Sequence, residues 1–314
     1  MTAAPIIAFA EQIKAPGDHL YLLVDPLAGC GPAHPLAIES LVHDLGEDAV
    51  VRVPRPDLVH TPEACPALVQ LGTSEDATRK RLLELSALHA REDLAYGQRY
   101  ICGWLTSPEP PEETARHIAA QCCITSSSVR KSTTPWFEPV RLELLAGALG
   151  ARAGAMFAPI NAWLFPTSWG SFSVLQSSSA TASEVHTALV RRTQHAAQLV
   201  SEFLGIWRLA QRQTLSFAPW RWTGPSPLPP QAGVHAFRLV RDAQRLGLRH
   251  ERDIFALSLY RVCVHPLLPK HPDIQRDILD AANGKHALHD RFQAYDDTAW
   301  KRVFASLPRT ENYS

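Results

Sequence analysis

Apolar residues in the first 125 positions form short runs that alternate with segments of helical spacing. The runs are rich in strand-forming residues and predict strands at residues 20–24, 50–53, 65–71 and 100–106. Between them, apolar residues three and four positions apart predict helices at residues 35–45, from Ser74 onward and at 110–124. Such alternation is typical of helices that cover a sheet, so we expect an α/β (α+β) N-terminal lobe with a mixed sheet flanked by helices.

From residue 126 onward, helical patterns dominate. A hairpin is the exception, since two apolar runs flank Ser168-Trp169-Gly170 and predict paired strands. The helical pattern after Ser183 exceeds about 25 residues and is long enough for two helices. In order, we predict a polar strand or loop at 126–134, helices at 139–149 and 151–157, strands at 162–165 and 171–175, a serine-rich linker at 177–181 and helices over 183–213.

A proline-rich segment separates the N-terminal lobe from a helical C-terminal region. Residues 218–233 hold five prolines and two glycines, a composition typical of an extended linker or an ordered loop. We therefore predict an α/β lobe over residues 1–217 and an all-helical C-terminal lobe over residues 234–314. Helices of the C-terminal lobe are predicted at 234–246, 252–264, 273–282 and 288–304.

Basic and acidic residues are equal in number but separate along the chain. The 314 residues include 31 Lys and Arg and 31 Asp and Glu, which is unlike a generally basic nucleic-acid or membrane-surface binder. Residues 1–150 carry 12 bases and 19 acids, a balance of −7, and residues 151–314 carry 19 bases and 12 acids, a balance of +7. This separation suits either two surfaces for two partners or two lobes that attract each other.

Cysteine use and the apolar runs indicate a cytoplasmic protein. The six cysteines include no CxxC pair, and adjacent Cys122 and Cys123 do not have the spacing of zinc ligands. We interpret the cysteines as reduced core residues. The sequence shows no signal peptide and no apolar stretch of about 18 residues, so we expect neither an export signal nor a membrane span.

The sequence carries no recognised catalytic motif. The patterns GxSxG, GxxxxGK[ST], GxGxxG and HExxH are all missing, so we expect no enzyme, no metal and no cofactor. Four histidines cluster in the last third of the chain, at His265, His271, His286 and His289. His286 and His289, beside Asp290, would share a helix face, so a cryptic enzyme or metal site there is the alternative to solvated surface residues. His34 and His43 make a weaker case as ligands.

An arginine stripe and two tryptophans are the candidate contact residues. Spacings of three, four and four place Arg238, Arg241, Arg245 and Arg249 on one helix face, and the first three are the candidate contact residues. Such a face suits docking onto an acidic protein, binding of nucleic acid with the help of nearby aromatics, or simple solvation. Trp220 and Trp222 lie in the proline-rich segment, and tryptophan is enriched at binding hot spots. Alternatively, their rings pin this segment onto the lobes.

Several blocks, taken in order, resemble the type VI secretion effector-adaptor family known as Tap or TEC. Residues 20–25 (LYLLVD) are similar to the family's opening strand, 66–71 (PALVQL) to its next block and 104–107 (WLTS) to a later strand. The family's aromatic-Asp-Pro-Arg motif resembles residues 136–141 (WFEPVR), and MFAPINAW follows after a leucine-rich helix. The motif residues are Tyr21, Asp25, Pro66, Trp136, Phe137, Glu138, Pro139, Phe157, Pro159 and Trp163.

The resemblance implies a non-enzymatic cytoplasmic adaptor of a Gram-negative bacterium. Members of this family bind a toxic effector and load it onto the VgrG spike or a PAAR tip, and they are not themselves secreted. We therefore expect a cognate effector and VgrG as partners, and neither nucleic acid nor a membrane. The sequence departs from the family at Glu138, where Asp is usual, and lacks the Arg just before the aromatic pair; Arg130 and Lys131 lie further upstream. The Arg–Asp geometry must therefore differ here.

Overall fold

A computed structural model describes most of the chain and divides it into two compact units. The described residues are 3–13, 17–71, 77–95, 97–124, 133–178, 188–213 and 217–308. The units are Met1–Ala197 and Gln198–Ser314, so the division falls upstream of the proline-rich segment at 218–233. Some predicted features lie outside the described residues: the helix starts at Ser74 and Ser183, most of the polar segment at 126–134 with Arg130 and Lys131, and the end of the serine-rich linker.

The first unit contains a six-stranded sheet, as its alternating pattern predicts. The strands are β1 His19–Val24, β2 Val50–Arg52, β3 Ala67–Leu71, β4 Ile101–Ser107, β5 Ala162–Pro166 and β6 Phe172–Gln176. Their order is β2-β3-β1-β4-β5-β6, and the predicted hairpin is the pair β5–β6. The α/β (α+β) class is confirmed, but every pairing is antiparallel, so the expected mixed sheet is wrong. Helices cover this antiparallel sheet on both faces, and burial on both faces gives unbroken apolar runs in strands of either direction.

Helices surround this sheet at positions close to those predicted. They are α1 Ala4–Ala8, α2 Ile38–Leu45, α3 Ala77–Glu92, α4 Pro111–Ile124 and α5 Pro139–Leu149, followed by a 3-10 segment at Gly150–Met156. The short α1 was not predicted. Beyond the hairpin, α6 Ala188–Arg212 is one continuous helix of 25 residues, so the possible division into two is wrong for this part of the chain.

Alternation along β1 directs its side chains to two separate cores. Leu20, Leu22 and Val24 pack with residues of α1, α2 and α3 on one face of the sheet. Tyr21 and Leu23 pack with residues of α4 and α5 on the other face. Because successive strand residues point to opposite faces, a strand that is covered on both sides is apolar throughout. Burial on both faces therefore explains the unbroken apolar run at 20–24.

The second unit is helical, as predicted. Its helices are α7 Ala232–Arg245, α8 Glu251–Cys263, α9 Pro272–Ala282, α10 Leu288–Gln293 and α11 Asp297–Ser306, with the C-terminal half of α6 before them. The prediction of one helix over 288–304 is wrong, since α10 and α11 are separate. The Asp296 side chain accepts a hydrogen bond from the Ala299 N–H at 2.7 Å and so caps a new helix start.

Cysteine burial follows the prediction for four of the six thiols. None of the six cysteines, all of which the structure describes, is in a disulfide, and Cys65, Cys102, Cys122 and Cys263 are buried. Cys30 is half-buried and Cys123 is exposed, so the interpretation as core residues is wrong for these two. Within the described ranges, no helix has both the length and the apolar character that crossing a bilayer requires.

Candidate partner-binding site

The aromatic residues that carry the family resemblance lie in the core of the first unit. Trp136, Phe137, Phe157 and Trp163 are each 1% exposed or less. The ring of Trp136 lies 5.3 Å from that of Phe157 and 5.2 Å from that of Trp163, centroid to centroid. These separations are typical of packed aromatic pairs. The motif residues therefore build the fold of this unit, and a partner has no direct access to them.

The remaining motif residues also have structural contacts. The Tyr21 hydroxyl donates to the Glu109 carbonyl at 2.7 Å, and the Pro66 carbonyl accepts the Val53 N–H at 2.8 Å. Pro139 occupies the first turn of α5, where proline is tolerated because its missing N–H needs no partner. The peptide bond before Pro159 is cis.

Glu138 pairs with Arg141, three residues further along the chain. The Arg141 Nε donates to Glu138 Oε2 at 2.7 Å, and its Nη1 donates to the Gln194 carbonyl at 2.7 Å. The Arg141 side chain is 13% exposed and that of Glu138 is 35% exposed, so this contact is partly shielded from solvent. It connects the start of α5 to α6 within the first unit.

Two acids, buried Asp25 after β1 and exposed Asp57 after β2, act on the buried Arg55. Asp25 is 5% exposed, and its carboxylate accepts the Leu27 N–H at 3.1 Å. Arg55 donates to both oxygens of Asp57, at 3.2 and 2.7 Å, and its guanidinium lies 6.0 Å from the ring centroid of Phe137. Burial raises the pKa of Asp25 from 3.8 to about 6, although the Leu27 hydrogen bond and Arg55 act in the opposite direction. Asp25 therefore becomes ionised at a cost to stability.

Replacing Asp25 with asparagine is expected to increase stability at pH 7. The raised folded-state pKa means that the native state loses stability as pH rises from about 4 to about 6, by up to about 3 kcal/mol. Asp25→Asn keeps an oxygen for the Leu27 N–H and removes this loss, so its advantage should vanish near pH 4. Urea unfolding at pH 4, 5, 6 and 7 measures the difference.

Asp57→Asn is the matched control for this experiment. Hydrogen bonding and attraction from Arg55 outweigh burial and lower the pKa of Asp57, so its charge stabilises the native state at neutral pH. This substitution should destabilise the protein at pH 7 and lose its effect as pH falls. If both variants lower stability at pH 7, burial does not dominate at Asp25.

The second unit contains a groove that brings together two of the predicted contact residues. Trp222, Pro229, Pro230, Arg238 and Arg261 are among the residues that line it. The groove has a volume of about 630 Å³. Its arginines and its aromatic and proline surfaces come from the 218–233 segment, α7 and α8. We call it the Trp222–Arg238 groove.

Local contacts hold the proline-rich segment in position beside this groove. The Trp222 Nε1 donates to the Ser226 carbonyl at 3.0 Å, and its ring covers Gly224 so closely that a Cβ there would collide with it. Arg221 donates to the backbone carbonyls of Gln211 and Gln213. Leu228 is fully buried. Residues 218–233 therefore form an ordered, packed segment of the second unit.

The charges lining the groove are mainly positive at neutral pH. Asp242 receives hydrogen bonds from both Arg245 and Arg261 at 3.3 Å, and Arg238 is exposed. Burial lowers the pKa of His235 to about 4, with Arg261 and Arg238 adding to the effect, so this histidine is neutral at pH 7. Two arginines against one aspartate favour an acidic ligand.

The structure separates the other predicted contact residues from this groove. The backbone N–H of Trp220 donates to the Cys263 carbonyl at 2.8 Å, and the centroid of the Trp220 ring lies 5.5 Å from that of the His265 ring. Arg241 contacts Gln244 at 3.4 Å, and Arg245 pairs with Asp242; neither lines the groove. Sequence reasoning missed Arg261, Pro229 and Pro230. Only the composition of the 218–233 segment signalled the prolines, and nothing signalled Arg261.

The four C-terminal histidines each have a contact of their own. His265 Nδ1 accepts the Leu267 N–H, and His271 Nδ1 accepts the Asp273 N–H and caps α9. His289 Nδ1 lies 3.0 Å from Asp253, while His286 lies 4.0 Å from Asp277. Among the residues that the structure covers, these histidines form no group with ligand atoms close enough to hold a metal.

Comparison of the chain with protein-family models, with curated proteins and with solved structures finds no match. The resemblance to the type VI adaptors therefore depends on the motifs quoted above.

Proposed function

We propose that this chain is a non-enzymatic, cytoplasmic type VI secretion adaptor that binds a cognate toxic effector and loads it onto the VgrG spike. One observation in the second unit supports a role in protein binding: a groove lined by Trp222, Arg238 and Arg261. The ordered series of motifs in residues 20–163 supports the family. Both observations concern contact with proteins, and neither requires a catalytic group.

The chemistry of the groove suits an acidic, extended segment of the effector. Tryptophan and proline offer rigid apolar surfaces that lose little conformational entropy when a ligand packs against them. Guanidinium groups bind carboxylates through paired hydrogen bonds, which fixes orientation as well as charge. A segment with an aspartate or glutamate next to an apolar residue would satisfy both parts of the groove.

The opposite charge balance of the two halves supports a second contact surface. Residues 1–150 carry a balance of −7 and residues 151–314 a balance of +7. An adaptor must bind its effector on one surface and the spike on another, and opposite charge on the two surfaces makes each specific for its own partner. We assign the effector to the basic second unit and VgrG to the acidic first half.

Effector loading is tested by deletion of the gene in its own bacterium. The adaptor proposal expects that delivery of one toxin, encoded in the same secretion cluster, is abolished while other toxins are delivered normally. Co-expression of that toxin with this chain should give a soluble complex. Normal delivery of every toxin in the deletion strain would contradict the proposal, because an adaptor is required only for its own cargo.

A further inference from the structure

Three residues with metal-binding side chains meet at one edge of the first unit. Cys30 and His34 follow β1, and His89 lies near the end of α3. One ligand atom from each of the three lies within 4.8 Å of the others. Thiolate and imidazole together are the ligands that zinc and similar ions prefer.

A tight turn brings Cys30 and His34 to the same place. The His34 N–H donates to the Gly31 carbonyl at 2.8 Å, which folds the intervening Gly31-Pro32-Ala33. Three residues between two ligands are within the spacing that zinc sites use. Both side chains are half-buried, so an ion can reach them from solvent.

Both ring nitrogens of the half-buried His89 are shielded from solvent and lack a hydrogen bond of normal length. Neither of its ring nitrogens has a hydrogen-bond partner among the described residues, and its side chain is 12% exposed. Its ring lies 4.8 Å from that of His34 and 5.3 Å from that of Tyr100. Buried polar atoms that lack partners are rare in folded proteins and often indicate a missing ion or ligand.

Asp93 is placed to orient the His89 ring. Its Oδ2 accepts the N–H groups of Tyr100 and Ile101, at 2.7 and 3.2 Å, which holds the carboxylate still. Its Oδ1 faces His89 Nε2 at 3.5 Å. A carboxylate that receives one ring N–H leaves the other nitrogen free for a metal, the arrangement common behind zinc-bound histidines. With Nε2 directed to Asp93, Nδ1 is the nitrogen of His89 available to an ion.

The surrounding charge favours a cation. The carboxylates of Asp93 and Glu39 interact electrostatically with the Cys30 thiol, and that of Glu92 interacts electrostatically with His34. A metal ion binds the deprotonated thiolate, so Cys30 releases its proton when the ion binds.

We propose that Cys30, His34 and His89 bind one divalent transition-metal ion of the zinc class, with Asp93 as a positioning residue and the fourth position open to solvent. Ligation at about 2.0–2.3 Å from the ion draws the three atoms closer than they now are. His34 Nδ1 accepts the Leu36 N–H at 3.1 Å. When the imidazole binds the ion, either Nδ1 loses this hydrogen bond, or the ring proton moves so that Nε2 can bind the ion. One neutral hydrogen bond is weaker than a metal–imidazole bond.

Cobalt titration of the full chain tests the site directly. We expect one equivalent of Co²⁺ to bind with the visible spectrum of tetrahedral coordination and a thiolate-to-cobalt charge-transfer band. Zinc should displace the cobalt. Cys30→Ser should remove the charge-transfer band, and His89→Ala should weaken binding at least about 100-fold. Asp93→Asn should weaken it about 10- to 100-fold.

Two substitutions serve as matched controls. Cys123→Ser and His43→Ala change the same residue types at exposed positions of the same unit and should leave the cobalt spectrum and affinity unchanged. Circular dichroism identifies any variant that does not fold, and half-buried Cys30→Ser provides the decisive test if His89→Ala fails to fold. The proposal is overturned if the folded wild-type chain binds no cobalt, or if Cys30→Ser and Cys123→Ser give the same spectrum.

Discussion

Truncation of Trp163 to alanine is expected to lower the free energy of unfolding of the first unit by about 3–5 kcal/mol. Trp163 is fully buried, and its ring contacts both Trp136 and Phe157. Its Nε1 donates to the Cys102 carbonyl at 3.4 Å. Truncation therefore loses apolar burial, two ring contacts and a hydrogen bond, and it leaves a cavity in a core that two helices and a sheet hold in place.

The backbone next to Trp163 restricts how far this cavity can collapse. Gly103 on β4 has a φ of +143°, at an irregularity where β4 changes register against β1. A Cβ at Gly103 would collide with the Trp163 ring and with the Leu164 carbonyl. The strand is therefore shaped around this indole. A cavity that cannot collapse gives the larger losses of stability.

Guanidinium unfolding, followed by far-ultraviolet circular dichroism, measures this loss. Val59→Ala is the control within the same unit, because Val59 is 67% exposed and its truncation should change stability by less than about 0.5 kcal/mol. Trp163→Phe should give an intermediate loss. A change below about 1 kcal/mol for Trp163→Ala would contradict the packing described here.

Reversal of Arg238 to glutamate is expected to weaken binding of the effector by at least about 30-fold, or about 2 kcal/mol. Arg238 lines the Trp222–Arg238 groove, is exposed and lies near Arg261. A glutamate there would repel the acidic segment that the groove is proposed to bind. Because the side chain is exposed, the fold should not change. Trp222→Ala should weaken binding in the same direction by removing an apolar surface.

Arg245→Glu separates the groove from the arginine stripe as the binding surface. Arg245 is also exposed and lies on α7, but it does not line the groove. If the groove binds the effector, Arg245→Glu should change affinity much less than Arg238→Glu in isothermal titration calorimetry. Equal losses would favour the whole stripe. If neither variant lowers the affinity for the effector, the basic surface of the second unit does not bind it.

The secondary structure of the first unit follows closely from local pattern. Runs such as 20–24 and 100–106 became strands because side-chain alternation and burial on both faces are properties of short segments. The direction of these strands could not be predicted from local pattern, since it depends on which strands become neighbours in the sheet. The separate start of α11 was also missed, although Asp296 was a visible capping residue.

The candidate sites show the same division at the level of single residues. Trp222 and Arg238 were predicted as contact residues in separate segments, and the fold brought them into one groove with Arg261. Trp220, two residues from Trp222, lies beside His265 instead. Two tryptophans close in sequence therefore have different surroundings, while residues far apart in sequence line one groove. Contacts between elements depend on packing angles, which no local sequence pattern reports.

By itself, the sequence determined the α/β and helical division, the strands, most of the helices and the separation of charge. These properties follow from the order of apolar, polar and charged residues over short distances. Tertiary structure alone decided that His89 meets Cys30 and His34, that Arg261 completes the groove and that the aromatic motif is core. Each of these contacts joins residues whose separation along the chain is bridged only when the whole unit packs, and packing is a property of all its side chains together.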